Sequence, residues 1–168
     1  MSENDVSTDE HVAAPVASTT MSGQTVLHPV RDAYMATVES LRDGGYCTAT
    51  DLTVVDYLTH PGRTDLPEGV EPERFEVVVA LFDHTRRERV RLRIQVPADD
   101  PTVPSLFDLF PGTEAMEREA YDLFGVCFDG HPDHSRILLP EDWTDHPLRK
   151  DEGIGAIPVQ FKAASERR

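Results

Sequence analysis

Phe75-Glu76-Val77-Val78-Val79-Ala80-Leu81-Phe82, followed further on by Arg89-Val90-Arg91-Leu92-Arg93-Ile94-Gln95-Val96, is the stretch on which the fold turns. The first run is apolar at nearly every position, as in a strand buried on both faces. The second alternates: Val90, Leu92, Ile94 and Val96 are set against Arg89, Arg91, Arg93 and Gln95. That is the period of a half-buried strand with one apolar and one basic face. Asp83 to Glu88 between them has the length and polarity of a hairpin connection. The basic stripe, which Arg87 extends, reads as a solvated face that discourages edge pairing. Its sharper reading is a contact for an acidic partner.

Before this pair, Asp51 to His60 carries Leu52, Val54, Val55, Tyr57 and Leu58 and predicts another strand, stopped by His60-Pro61-Gly62. Val30, Tyr34, Val38 and Leu41 fall on one face of a helix that Gly44-Gly45 ends. After the pair, Ser105 and Asp108 resemble a capping box that opens a short helix through Leu106, Phe107, Leu109 and Phe110. Thr113 caps a further helix, whose Met116, Ala120, Leu123 and Phe124 make an apolar stripe and which Gly125 terminates. Eight of the 13 prolines lie between Pro97 and Pro158. Residues 125–151 are irregular yet rich in large apolar side chains, among them Phe128, Ile137, Leu138, Leu139, Trp143 and Leu148. Prolines bias such a segment to extended shapes, which invite docking on another surface.

Composition excludes several roles. The chain has 168 residues, with 16 Lys and Arg against 31 Asp and Glu, a net charge of −15. A nucleic-acid binder needs cations to displace counterions from phosphates, so that class is disfavoured, as is attachment to anionic lipid through a basic face. The longest apolar run, Val77 to Phe82, is far short of the roughly 20 residues of a membrane helix. The acidic start, Met1-Ser2-Glu3-Asn4-Asp5, does not resemble a secretory signal, and a cytosolic chain is expected. Residues 1–25 carry four acids, no Lys or Arg and many Ser, Thr and Ala, so they are predicted to be disordered; −11 remains on the rest. Cys47 and Cys127 form no C-x-x-C pair and cannot hold an iron–sulfur cluster by themselves; both read as small buried apolar residues.

Active-site patterns are wanting. Glu117, Arg118, Glu119 and Asp122 crowd one helix, with Arg118 and Asp122 spaced to pair. Such a cluster supports acid–base or metal chemistry, but more simply a solvated or interface face. His131 and His134, near several acids, offer a His-x-x-His zinc motif but lack the H-E-x-x-H pattern on a helix. Phosphate-binding glycine loops and a G-x-S-x-G elbow are absent from the sequence. A binding segment is thus plainer than a catalytic one.

That segment runs Glu117-Arg118-Glu119-Ala120-Tyr121-Asp122-Leu123-Phe124-Gly125-Val126, then Gly130-His131-Pro132-Asp133, Arg136-Ile137-Leu138-Leu139-Pro140-Glu141-Asp142-Trp143 and His146-Pro147-Leu148-Arg149-Lys150-Asp151. It closely resembles the C subunit of the proton-translocating NADH:quinone oxidoreductase, the 30 kDa subunit family of respiratory complex I. The strong likeness spans 35 of 168 residues, and a looser one reaches back through Arg74 to about Leu52.

The resemblance implies an α+β fold: a two-layer domain over residues 26–125, with a mixed β-sheet packed by helices, then an extended proline-rich docking segment over 126–168. It implies a non-catalytic structural subunit of the hydrophilic arm, supporting electron transfer from NADH to quinone coupled to proton translocation. No cofactor is expected in this chain; FMN, iron–sulfur clusters and quinone are expected in partner subunits. The implied partners are the quinone-site D subunit and the cluster-bearing B and I subunits. The implied place is the cytoplasmic face of the cell membrane, reached only through the complex. By position, Glu117, Arg118, Glu119, Asp122 and Gly125 fall on the family's acidic helix and its end, and Gly130, His131 and Pro132 on its turn. Arg136, Leu139, Pro140, Trp143, His146, Pro147, Arg149 and Lys150 fall on its docking tail. All are expected to be structural or interface residues. Two alternatives stand beside this reading: the equivalent subunit of a related membrane-bound hydrogenase-type complex, and a metal-dependent enzyme built on His131 and His134.

Overall fold

Phe75–Asp83 (β4) and Glu88–Val96 (β5) pair antiparallel with Val79 opposite Leu92 and Val77 opposite Ile94. They lie at the centre of a five-stranded sheet in a computed structural model that describes residues 16–60 and 62–152. The strands Ala17–Met21 (β1), Gln24–His28 (β2) and Thr48–Asp56 (β3) complete it in the order β1-β2-β5-β4-β3. The β2–β5 pairing is parallel and the others antiparallel, so the sheet is mixed. Helices Tyr34–Asp43 (α1) and Glu114–Phe124 (α2) cover one face, which makes the fold α+β. A short parallel pair, Thr102–Pro104 (β6) with Cys127–Asp129 (β7), lies beside α2.

The core follows from alternation. Phe75, Val77, Val79 and Leu81 point with Val90, Leu92, Ile94 and Val96 to the helical side, where Tyr34, Val38, Ala120, Val126 and Phe128 close over them. Fully burying each such side chain is worth about 1.5–3 kcal/mol.

The other face departs from the sequence reading. β5 is interior, so its arginines do not guard an edge. Arg93 is buried, with Nε donating to Glu76 at 2.7 Å and Nη2 to Asp65 at 2.6 Å. Arg63 reaches the same Glu76 and lies 3.5 Å over the ring of Tyr57. The loop after β3 thus folds across this end of the sheet, and a buried charge is accommodated because each acid meets several donors. Arg87 and Arg89 remain exposed, Arg91 half-exposed.

Other expectations are corrected here. Residues 17–25, predicted disordered, form the β1–β2 hairpin, turning at Ser22 (φ 51°) and Gly23 (φ 77°). Edge pairing satisfies backbone groups and needs few apolar side chains, so a polar composition does not forbid it; positive φ at both loop residues suits a two-residue hairpin. Residues 1–15 of the expected disordered tail, and 153–168 of the expected docking segment, lie outside the described residues. The segment after Ser105 makes a turn, not a helix, in which Ser105 Oγ accepts the Phe107 N–H at 3.1 Å and donates to Glu117. The core continues through Val126 and Phe128, so the division drawn after residue 125 falls inside the packed domain. Val30, placed on the face of α1, is 64% exposed and precedes the helix. Cys47 is exposed and Cys127 half-buried, with burial pushing the Cys127 thiol up.

Candidate functional site

The residues singled out on α2 and the irregular segment come together as a strap folded over the end of that helix. Asp122 organises it. The helix points this carboxylate inward, where its side chain is 0% exposed. Its Oδ1 accepts Arg136 Nη1 at 2.6 Å, and its Oδ2 accepts the backbone N–H groups of Ile137, Leu138 and Leu139 at 3.1, 2.8 and 2.9 Å. Burial pushes this carboxyl up, but the Leu139 N–H, the Arg136 bond and the other N–H groups more than offset it, leaving it below its ordinary value. The pairing of Arg118 with Asp122, allowed by their spacing, does not form. Arg118 instead meets Glu114 at 3.2 Å and donates to Ser135 Oγ at 2.8 Å, which fastens the start of the strap.

The last turn of α2 supplies further acceptors. Its unpaired carbonyls attract donors and positive charge. His146 Nδ1 donates to the Asp122 carbonyl at 3.0 Å, Arg149 Nε to that of Phe124 at 2.6 Å, and the Leu148 N–H to that of Leu123 at 3.1 Å. Gly125 ends the helix at φ +70°, and a Cβ there would collide with Arg149 Nη2 and His146 Nε2. Two conditions therefore demand glycine: the left-handed backbone and the strap above it.

Two residues that sequence reasoning missed anchor the strap's far end. Asp56, at the end of β3, accepts the Lys150 N–H at 2.9 Å and the Arg74 guanidinium at 2.9 Å; Arg74 also pairs with Asp151. Burial raises the Asp56 carboxyl, and Arg74 followed by the Lys150 and Leu58 N–H groups bring it below its ordinary value. No local pattern marks Asp56 as an anchor of the strap, because Arg74 and Lys150 lie far along the chain.

Glu117 is also buried, contrary to a solvated helix face. It accepts Ser105 Oγ at 2.6 Å, the Leu106 N–H at 2.8 Å and Thr113 Oγ1 at 2.8 Å. Three donors offset the cost of removing a carboxylate from water. Its role is to fix the Ser105 turn against α2. Glu119 is exposed on the opposite side.

His131 and His134 are stacked, with ring centroids 5.2 Å apart and planes inclined by 26°. His131 Nε2 donates to the Glu114 carbonyl at 3.0 Å, and its Nδ1 accepts the Asp133 N–H at 3.1 Å. Both of its nitrogens are thus taken by backbone groups. His134 Nε2 donates to the Phe128 carbonyl at 2.7 Å. The His-x-x-His spacing here builds a turn, with Gly130 (φ +85°) and exposed Pro132 at its bend, rather than a converging ligand pair.

The strap's outer surface is mixed: Glu141, Asp142 and Asp145 are exposed on it together with three large apolar side chains. Leu138 is 60% exposed, and Ile137 and Leu148 are exposed beside it. Leu139, Trp143 and Pro147 are half-buried, Pro140 and Lys150 exposed. The Trp143 Nε1 is enclosed without a hydrogen-bond partner among the described residues.

Comparison with known proteins gives concordant matches. The family described as "Respiratory-chain NADH dehydrogenase, 30 Kd subunit" matches residues 27–156. The NADH-quinone oxidoreductase C subunit of Salinispora arenicola is 37% identical over 145 residues, 84% of this chain and 55% of that one. Its counterpart in Roseiflexus sp. is 47% identical over 117 residues, 70% of this chain and 61% of that one. The chain spans about half the length of the curated relatives it matches. Among solved structures, the trypsin-resistant fragment (1–134) of Nqo5 superposes with a TM-score of 0.63 at 31% identity, covering 70% of this chain and 89% of the fragment. A chain of an archaeal membrane-bound sulfane sulfur reductase shares the fold, with a TM-score of 0.64 at 18% identity over 91% of this chain and 90% of that one.

Proposed function

Because this chain belongs to the respiratory-chain NADH dehydrogenase 30 Kd subunit family, we propose that it is a non-catalytic structural subunit in the hydrophilic arm of an NADH:quinone oxidoreductase. The observation that carries this reading is the use made of the motif residues. Asp122, Arg136, His146 and Arg149 all serve to hold one strap on α2, and the strap turns Ile137, Leu138 and Leu148 outward. A rigid strap loses little entropy on docking, so its apolar face binds a partner at low cost. On this reading the chain clamps the quinone-site D subunit against the cluster-bearing B and I subunits, keeping clusters and quinone cavity at fixed spacing. FMN, iron–sulfur clusters and quinone belong to other subunits of the complex. The chain sits at the cytoplasmic face of the membrane only through the complex. No helix among the described residues is long and apolar enough to cross a membrane, in keeping with peripheral attachment.

The test is a native pull-down on the full chain followed by mass spectrometry. Recovery of a quinone-site subunit with cluster-bearing subunits and an NADH-oxidising module supports the proposal. Recovery of a hydrogenase-type or sulfur-reducing module in place of the NADH module reassigns the chain to a related membrane-bound complex. Recovery of no cluster-bearing partner contradicts both.

A further inference from the structure

Two adjoining depressions of about 300 and 250 Å³ lie at one end of the sheet, between β2 and the loop that leads into β4. They share His28, Val30 and Val70 and form one groove, none of whose lining residues belongs to the strap. Its walls are apolar, with Val30 largely exposed inside a wall completed by Val70 and Pro97. Its rim is acidic. Glu71 and Glu73 line it, and neither has an ion-pair partner among the described residues. Arg31, the one Lys or Arg on the lining among the described residues, is already committed to Asp100 at 2.7 Å.

His28 is 2% exposed, and its Nε2 lies 3.1 Å from Thr19 Oγ1. Its Nδ1 is enclosed and has no hydrogen-bond partner among the described residues. Burial, and then the charge of Arg93, favour the neutral ring. The charge of the groove is therefore that of its acidic rim.

We propose that this groove receives a Lys or Arg side chain carried on a segment of another protein chain. The aliphatic stem lies on Val30, Val70 and Pro97, and the cationic head reaches Glu71 and Glu73. Long basic side chains are amphipathic in this same order, stem then head. Arg suits a pair of carboxylates best, since its planar fork donates in parallel. The proposal extends beyond the strap: it gives this chain a second contact on a different side of the sheet, recognised by charge as well as by apolar area.

The experiment is an NMR titration of the full chain with N-acetyl-arginine amide, its neutral citrulline isostere and N-acetyl-glutamate amide, read at the His28 ring and the Val30 and Val70 methyl groups. The arginine derivative is expected to give saturable shifts at these positions. The citrulline derivative is expected to bind at least about tenfold more weakly, as the loss of a charge-assisted bond implies. A Glu71→Gln, Glu73→Gln double variant with an unchanged circular dichroism spectrum is expected to lose that preference. Equal binding of arginine and citrulline derivatives, preferred binding of the glutamate derivative, or absence of saturable shifts at His28 would overturn the proposal. The pull-down described above does not depend on these outcomes, so the two readings fail separately.

Discussion

Arg136 Nη1 lies 2.6 Å from Asp122 Oδ1, and the Asp122 side chain is wholly enclosed. The strap owes its shape to this pair and to the N–H groups that share the second oxygen. Asp122→Ala leaves Arg136 and three backbone donors without their acceptor. Breaking a buried pair from one side typically costs about 3–5 kcal/mol. Urea unfolding of the isolated chain should show a loss of that order, and hydrogen exchange should accelerate at Ile137, Leu138 and Leu139. Unchanged exchange there would mean that the strap is held by other contacts.

Gly125→Ala should destabilise by more than the roughly 1–2 kcal/mol of a left-handed non-glycine residue, because its Cβ also strikes Arg149 and His146. Gly130→Ala is the control: it shares the positive φ, but its Cβ meets nothing within 4 Å. The difference between their unfolding midpoints measures the contact of strap with helix. Equal midpoints would remove that contact from the account.

Acid should loosen both ends of the strap. Asp122 and Asp56 are held below their ordinary carboxyl value in the folded chain. The unfolded chain therefore binds protons more readily, and stability rises with pH across the interval between the two values. The contribution is complete above the unfolded Asp value of about 3.9 and is lost as pH falls through the lower, folded value. Unfolding free energy measured against pH should fall on the acid side, and Asp122→Asn should flatten that slope. A variant slope equal to that of the parent chain would place the proton uptake elsewhere.

Glu117→Gln should cost about 1–3 kcal/mol, since one amide oxygen cannot serve all three donors and the amide N–H₂ adds buried hydrogens. Differential scanning calorimetry of the two chains is the check. A transition unmoved by the substitution would show that the Ser105 turn is fixed without it.

How far the sequence reveals this arrangement varies by element. β4, β5 and α2 are legible because alternation by two and recurrence near 3.6 report directly on which side faces a core. Gly125 is legible as a helix end, though its second constraint, the strap, is not. Glu117 and Asp122 are misread because charge predicts exposure, and their compensating donors are mostly backbone N–H groups that no side-chain pattern records. The β1–β2 hairpin is hidden by averaging composition over residues 1–25, although Ser22-Gly23 is a turn signal. The β6–β7 pair is too short to show a period, and Arg93 is buried only because Arg63 and Asp65 arrive from a distant loop. The motif string from Glu117 to Asp151 marks where the strap lies, while its attachment to the chain's own helix is visible in the geometry alone.

The most direct measurement of the central claim separates the fold of this chain from its docking. Leu138→Asp places a charge on the strap's most exposed large apolar side chain and removes none of the bonds that hold the strap. Native gel electrophoresis of the membrane complex, together with urea unfolding of the isolated variant, reads both properties. The unfolding midpoint should be unchanged, the assembled complex markedly reduced, and the iron–sulfur spectra unaltered in whatever complex remains. Assembly at the parent level with Leu138→Asp in place would contradict that claim.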